Sequence, residues 1–168
     1  MAQLDDFSKI IHSGNEIGEV LYRGKAIWRK EPDVYLAQDS DFVEVDETWV
    51  YRGIPVEVEI PTHINGELVT STQNMFRGGT ASGGRVFEAT PVTKVVLRHS
   101  NVTNMRSMFN LSEATILDLS RFDISNVIDM DFMFHRCSAT TGYARTQEDA
   151  DKLNASFAKS TTLNFVVR

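Results

Sequence analysis

The chain has 168 residues, of which 42% are hydrophobic, so it is long enough to form one domain, or one domain with an appendage, around a hydrophobic core. A formal net charge of -6 and the lack of any Lys- or Arg-rich run argue against nucleic-acid binding, which requires a concentrated basic face. Cys137 is the single cysteine, which excludes an intrachain disulfide.

The N-terminal segment, residues 1–33, is predicted to be a separate unit. Its first residues have neither the basic nor the apolar region of a secretory signal, and no part of the chain has the ~20 apolar residues of a membrane helix. We therefore expect synthesis in the cytoplasm without a signal peptide and without membrane insertion. Val20–Tyr22 and Lys25–Trp28 are predicted to form a β-hairpin with Gly24 in the turn. Pro32 marks the boundary with residues 34–168.

An acidic stretch follows at residues 39–47. Its spacing loosely suggests a calcium-binding loop, but the glycine and the closing glutamate of an EF-hand loop are missing. We interpret the stretch as a solvated edge strand and turn, and we expect no metal site there.

Four segments alternate between apolar and polar residues with a period of two, which predicts strands with one buried face. The predicted inward positions are Val56, Val58 and Ile60, then Val95 and Leu97, then Leu117 and Leu119, and finally Leu163, Phe165 and Val167. The outward positions of the first three strands are Glu57, Glu59, Lys94, Val96, Arg98, Asp118 and Ser120.

A phrase V-x-x-(M/T)-x-x-M-F begins at Val69, Val102 and Val127, with spacings of 33 and 25 residues, as in a stacked-repeat protein. Val102, Met105 and Met108 recur at i, i+3 and i+6, which predicts a short helix, partly 3₁₀. The predicted unit is strand, turn and short helix. Stacking the units gives an α/β solenoid with parallel strands on one face, short helices on the other, and the Met-Phe pairs in the core.

Two segments interrupt or end the array. Residues 77–85 form a glycine-rich insertion that matches no phosphate-binding motif, so a surface loop is predicted, with anion binding by Arg77 and Arg85 as the alternative. Residues 147–156 are predicted to form a helix with Thr146 as its N-cap. This helix and the last strand would form a C-terminal cap over residues 139–168.

Candidate catalytic or metal-binding groups are sparse. The histidines are scattered without ligand spacing; they are His12, His63, His99 and His135. A nucleophile pair of His135 and Cys137 is conceivable, but a packed cysteine is the simpler interpretation. Glu57 and Glu59 could serve as an acidic pair that hydrolyses cell-wall glycan, yet alternating acids on a strand are usually its wet face. We expect no enzyme, no metal and no cofactor.

The segments Ser100–Phe109 and Leu117–Phe134 resemble the "LDLSxFDTSNVTNMxxMF" unit of the leucine-rich-repeat family of BspA-type bacterial surface antigens and mycoplasma surface lipoproteins. The resemblance covers about residues 56–144 and implies a short leucine-rich-repeat solenoid. Residues 139–156 are similar to the terminal cap seen when this repeat occurs in tail or baseplate proteins of phages of Gram-positive bacteria. Ile17–Trp28 is similar, more weakly, to short hairpins of such phage structural proteins.

These resemblances imply a phage virion protein of the tail tip, baseplate or fibre. The N-terminal unit, through Tyr22, Ile27 and Trp28, would attach to other virion proteins. The outward strand positions would contact a neighbouring subunit or a host surface polymer or protein. A bacterial adhesin-like or partner-sequestering module outside a virion is the alternative. Whether the chain forms a homo-oligomer stays open at this stage.

Overall fold

The computed structural model of the protein describes residues 7–13, 16–22, 25–29, 34–80, 83–98, 100–156, 159 and 162–168, with side chains from residue 34 onward. The chain divides into two compact units, Met1–Asp33 and Val34–Arg168. Within the described residues, no helix has both the length and the apolar character that a membrane crossing requires.

The N-terminal unit is a three-stranded antiparallel sheet of β1 (Phe7–Ser13), β2 (Glu16–Tyr22) and β3 (Lys25–Arg29). The predicted hairpin is confirmed, with Val20 opposite Trp28 in the register of β2 and β3. Gly24 lies outside the described residues. Strand β1 was not predicted because its sequence, FSKIIHS, places two isoleucines side by side and so lacks a period of two.

The second unit is a parallel-strand β-solenoid of about five turns with one short helix. Its elements are β4 (Tyr35–Leu36), β5 (Phe42–Val45), β6 (Thr48–Tyr51), β7 (Glu57–Glu59), β8 (His63–Ile64), β9 (Glu67–Leu68), β10 (Lys94–Leu97), β11 (Ile116–Phe122), β12 (Thr141–Ala144), α1 (Gln147–Asn154) and β13 (Asn164–Val167). Six strands form the main sheet in the order β13-β12-β11-β10-β7-β4, and every neighbouring pair is parallel. The α/β solenoid class predicted from the sequence is confirmed.

The acidic stretch forms a 3₁₀ turn at Asp39–Asp41 followed by the β5–β6 hairpin. Asp46 and Glu47 occupy the hairpin turn with φ of 55° and 59°. Positive φ at both central residues is the requirement of a type I′ turn, which matches the right-handed twist of the strands. The predicted strand and turn are therefore confirmed.

The repeated phrase forms β-turns, so the predicted short helices are wrong. The N–H of Met108 donates to the carbonyl of Met105 (3.2 Å), and the first and third copies make the equivalent bond. The third residue of each turn has a positive φ; these residues are Asn74, Ser107 and Phe132. A residue in that conformation cannot continue a right-handed helix.

Backbone groups that would bond within a helix instead form hydrogen bonds between neighbouring copies of the phrase. The Phe76 N–H donates to the Met108 carbonyl and the Phe109 N–H to the Met133 carbonyl, both at 2.9 Å. Spacing of i, i+3 and i+6 suits both a helix and a chain of turns. Hydrogen bonding between copies selects the turn conformation, because it gives the backbone N–H and carbonyl groups partners in the neighbouring copy.

A column of aromatic rings runs through the core along the stacking direction. Its members are Phe42, Tyr51, Phe76, Phe109, Phe134 and Phe165, with successive centroids 5.1–5.8 Å apart. Met75, Met108 and Met133 are fully buried beside it. The Met-Phe pairs therefore fill the core, as predicted.

Two predicted inward positions are exposed instead. Val56 is 45% exposed and Val167 is 46% exposed, whereas Val58 and Phe165 are buried. Val56 precedes β7, and Val167 ends the edge strand β13, so neither has neighbours on both sides. The predicted helix is confirmed as α1, with the Thr146 hydroxyl accepting from the Asp149 N–H.

Candidate recognition surface

The outward side of the main sheet carries a row of residues set by the strand register. Glu57, Lys94, Asp118, Tyr143 and Val166 come from five adjacent strands and align side by side. Parallel strands lie about 4.8 Å apart, so the first three charged groups alternate in sign at close range. The register thus assembles a polar stripe from residues up to 109 positions apart in the chain.

Asp118 lies at the centre of this stripe but is only 7% exposed. Its carboxylate accepts from the N–H of Ser120 (3.0 Å) and forms an ion pair with Nη1 of Arg168 (2.9 Å). The Arg168 guanidinium carbon lies 4.9 Å from the centre of the Tyr143 ring. Asp118 therefore positions Arg168 over the sheet and is itself largely covered.

A second row crosses the same face. Register places Glu59 beside Leu36 on one side and Val96 on the other. Arg98 Nε binds the Glu59 carboxylate at 2.8 Å, which confirms a pairing between these two strands. Because half of the Arg98 side chain stays exposed, this pair is part of the accessible surface.

Val96 corrects one expectation from the sequence. It was predicted to face outward and be available for contact, but its exposure is 0%. It does lie on the other face of β10 from the core residues Val95 and Leu97. Its register neighbours are Glu59 on one side and Arg121 on the other. Longer side chains on both neighbouring strands leave a valine between them without solvent contact.

The structure brings together most of the predicted surface residues and adds others. Glu57, Glu59, Lys94, Arg98 and Ser120 all lie on or beside the two rows. Sequence reasoning missed Tyr143 and Arg168, and it placed Val166 on the outward side of the last strand without including it in the surface.

Strand β12 escaped prediction because its two inward positions hold the small residues Gly142 and Ala144. A Cβ atom at Gly142 would come within 2.3 Å of the Phe165 ring, so only glycine leaves room for the ring. The strand consequently shows no apolar alternation. Tyr143, its outward residue, could not be assigned to the face without the tertiary structure.

One family model matches the part of the chain that contains the three copies of the phrase and most of the parallel sheet. A family model described as "Mycoplasma protein of unknown function, DUF285" matches residues 59–165, which is more than half of the chain. The chain belongs to the DUF285 family. Comparisons with curated proteins and with solved structures find no match.

The DUF285 match spans the three copies of the phrase, most of the sheet and α1. It leaves out the N-terminal unit and strands β4, β5 and β6. The predicted attachment residues Tyr22, Ile27 and Trp28 lie in β2 and β3, outside this match, and their side chains are not among those described.

The candidate reactive groups of this DUF285 chain are not arranged as a catalytic site in the part that the structure describes. Cys137 is buried, and burial raises the pKa of its thiol, which keeps it protonated and unreactive. Among the described residues, the ring of His135 lies edge-on to the Phe132 ring, with centroids 5.8 Å apart. The same residues contain no group of three or more metal-ligating side chains; His99 and the His12 side chain lie outside them.

The glycine-rich insertion is an exposed loop over residues 83–86, and residues 81–82 lie outside the described part. A Cβ at Gly78 would come within 2.2 Å of the Leu111 carbonyl oxygen, so glycine permits close packing of neighbouring turns. Arg85 pairs with Asp46 at 3.2 Å, and the Arg77 guanidinium lies over the Phe87 ring. Burial lowers the pKa of Arg77. Both arginines thus have intramolecular partners.

Proposed function

We propose that this DUF285 protein is a non-enzymatic structural and recognition protein of a phage virion, located in the tail tip, baseplate or a fibre. Its sheet face would bind a host surface polymer or protein, or a neighbouring virion subunit. The observation that supports recognition best is the stripe of Glu57, Lys94, Asp118, Tyr143 and Val166 on a parallel sheet.

Rigidity makes this face suitable for binding. Backbone hydrogen bonds join the sheet strands on one side and the turns of adjacent copies on the other. Side chains on such a frame lose little backbone freedom when a partner binds, which lowers the entropic cost of association. Solenoids use extended surfaces in this way.

The chemistry of the face also favours recognition over catalysis. Glu59 is held by Arg98, and Asp118 is held by Arg168 and Ser120. Glu57 aligns with Lys94 in the register. Side chains held in ion pairs and register pairs present fixed donors and acceptors to a partner, which suits recognition.

The virion assignment rests on the resemblance of residues 17–28 and 139–156 to phage structural proteins. We propose that the three-stranded N-terminal sheet provides the attachment, because it forms a compact unit of its own outside the repeat. The test is mass spectrometry of gradient-purified particles, followed by immunogold labelling. We expect the protein at a fixed copy number per particle, and its absence from purified particles would refute the virion assignment.

The binding role needs a separate test. Labelled protein should adsorb to host cells or to purified tail subunits, and Lys94→Met should weaken adsorption at least about fivefold, because it removes one charge worth roughly 1 kcal/mol. Arg136→Met is the matched control, since Arg136 is an exposed cation in a turn outside the sheet. Equal effects of both substitutions would show that the face is not the binding surface.

A second candidate function is a cellular one. The family model is described as a mycoplasma protein of unknown function, which suits a protein of a bacterial cell. We propose as this alternative an adhesin-like or partner-sequestering module that is not part of a virion. Recovery of the protein with bacterial cells in the absence of any particle, together with retained binding through Lys94, would support this alternative.

A further inference from the structure

A groove of about 190 Å³ lies on the N-terminal side of the solenoid, apart from the residues of the sheet face. The β5–β6 hairpin forms one wall, and β9 with the start of the first repeat forms the other. Its lining residues are Glu47, Thr48, Trp49, Glu67, Leu68, Val69, Thr70, Ser71 and Gln73. No residue of the two outward rows contributes to it.

The lining combines two carboxylates with an aromatic ring and no cation. Glu47 and Glu67 are both exposed, and among the described residues neither forms an ion pair. The groove therefore has an uncompensated negative charge.

Trp49 and Leu68 supply the apolar part of the groove. Trp49 packs against the main core and remains partly exposed, and Leu68 is 47% exposed. An indole ring attracts a cation through its negative face, and a nearby aliphatic side chain suits a methylene stem. The combination of carboxylates, indole and leucine matches a cation on an alkyl chain.

Both walls are held in place before any ligand binds. The first ends in the type I′ turn at Asp46 and Glu47. The second is fixed by the Asn65 N–H donating to Asp39 (3.0 Å) and by the Val69 N–H donating to the Thr62 carbonyl (2.9 Å). A preformed site avoids the ordering cost that weakens small interactions.

We propose that this groove binds the side chain of a lysine presented by a protein partner. The ammonium group would lie between Glu47 and Glu67, and the four-carbon stem would lie along Trp49 and Leu68. Lysine fits better than arginine because a compact charge with three donors can reach two separate carboxylates, whereas a guanidinium prefers one carboxylate in a planar fork. This site is independent of the sheet face and of the virion assignment.

The test is an NMR titration that follows the indole N–H of Trp49, assigned with a Trp28→Phe variant. The probe is Nα-acetyl-lysine-N-methylamide, and the uncharged probe of equal stem length is the norleucine analogue. We expect a saturable shift with the lysine probe, weakened at high salt, and no saturable shift with norleucine. The arginine analogue should bind more weakly than lysine.

Paired variants locate the interaction. Glu47→Gln with Glu67→Gln should weaken the lysine probe at least about tenfold, because both charges are lost while the shape of the side chains is kept. Glu44→Gln is the control, since Glu44 lies opposite Trp49 in the hairpin but does not line the groove. Unchanged binding of the lysine probe by the double variant would overturn the proposal. So would the absence of a saturable shift in the unmodified protein, binding of the norleucine analogue as tight as that of the lysine probe, or tighter binding of a neutral hexose.

Discussion

The side-chain amide of Asn154 binds both backbone groups of Phe165. Its Nδ2 donates to the Phe165 carbonyl and its Oδ1 accepts from the Phe165 N–H, each at 2.9 Å. Phe165 lies in β13, the last strand of the sheet, so the amide occupies the edge where a further strand would pair. At the opposite edge, Nε2 of Gln38 donates to the carbonyl of Leu36 in β4 (2.7 Å).

Replacing Asn154 with alanine should destabilise the fold. The change removes two hydrogen bonds and leaves the N–H and carbonyl of Phe165 without their partner, which costs about 1–3 kcal/mol. The measurement is the free energy of unfolding in urea. Gln147→Ala is the control, because Gln147 bonds only to the exposed Asp151 on the same helix, and we expect a loss below about 0.5 kcal/mol. Similar losses in the two variants would contradict the edge-capping role.

Phe109 should be among the most costly residues to truncate. Its ring is stacked between Phe76 and Phe134, at 5.5 and 5.8 Å, and it is fully buried. Phe109→Ala is expected to lower the free energy of unfolding by about 3–5 kcal/mol. Ile128→Ala, at an apolar position that is 88% exposed, should change it by less than about 0.5 kcal/mol. Calorimetry or urea denaturation measures both, and a small loss at Phe109 would show that the column is not cooperative.

Glycine substitutions at Glu47 and Glu67 should have opposite effects on stability. Glu47 has φ of 59°, a conformation that strains a residue with a side chain by about 1–2 kcal/mol. Glycine relieves this strain but loses more conformational entropy on folding, which costs about 0.5–1 kcal/mol. Glu47→Gly should therefore stabilise the protein by about 0.5 kcal/mol. Glu67 lies in strand β9, where glycine should cost about 0.5–1 kcal/mol.

The comparison is informative because both side chains are exposed and both line the same groove. Thermal and urea unfolding of the two variants give the sign directly. Destabilisation of equal size in both would show that Glu47 is not strained by its positive φ.

Asp123 should contribute a pH-dependent stability. The N–H and side chain of Ser125, and then the guanidinium of Arg145 at 3.2 Å, hold the pKa of Asp123 below its usual range. A lowered pKa in the folded protein stabilises it above the unfolded pKa of about 3.9, and this contribution disappears as the pH falls through the folded pKa.

Asp123→Asn tests this, because asparagine keeps an acceptor for the Ser125 N–H and removes the charge. We expect the variant to be less stable by about 0.2–1 kcal/mol at pH 7, since the carboxylate is partly exposed, and the difference should shrink as the pH falls through the lowered pKa of the folded protein. Urea unfolding at a series of pH values from 7 downward measures it. A difference that stays constant with pH would exclude the charge as its cause.

Local sequence was sufficient for several features of this protein. The alternation around Val58 and Val95 predicts buried strand positions, because a period of two places every second side chain on one face. The repeated Met-Phe pairs predict the core, and Thr146 predicts the start of α1, because both signals involve residues within one turn or one strand.

The candidate recognition surface was only partly accessible from sequence. Glu57, Lys94 and Asp118 could be placed on one face from their alternation alone. The contribution of Arg168 could not, because it reaches Asp118 across 50 residues and depends on β12 and β13 lying between them in the fold. The burial of Val96 likewise depends on which residues flank it on the neighbouring strands.

The sequence by itself determined the repeat, its apolar positions and its separation from residues 1–33 in composition. Only the tertiary structure decided that the repeat consists of turns. The spacing of Val102, Met105 and Met108 suits a helix and a stack of turns equally well within one copy. The decision comes from hydrogen bonds such as that of the Phe109 N–H to the Met133 carbonyl, whose partners are 24 residues apart and meet only when the copies stack.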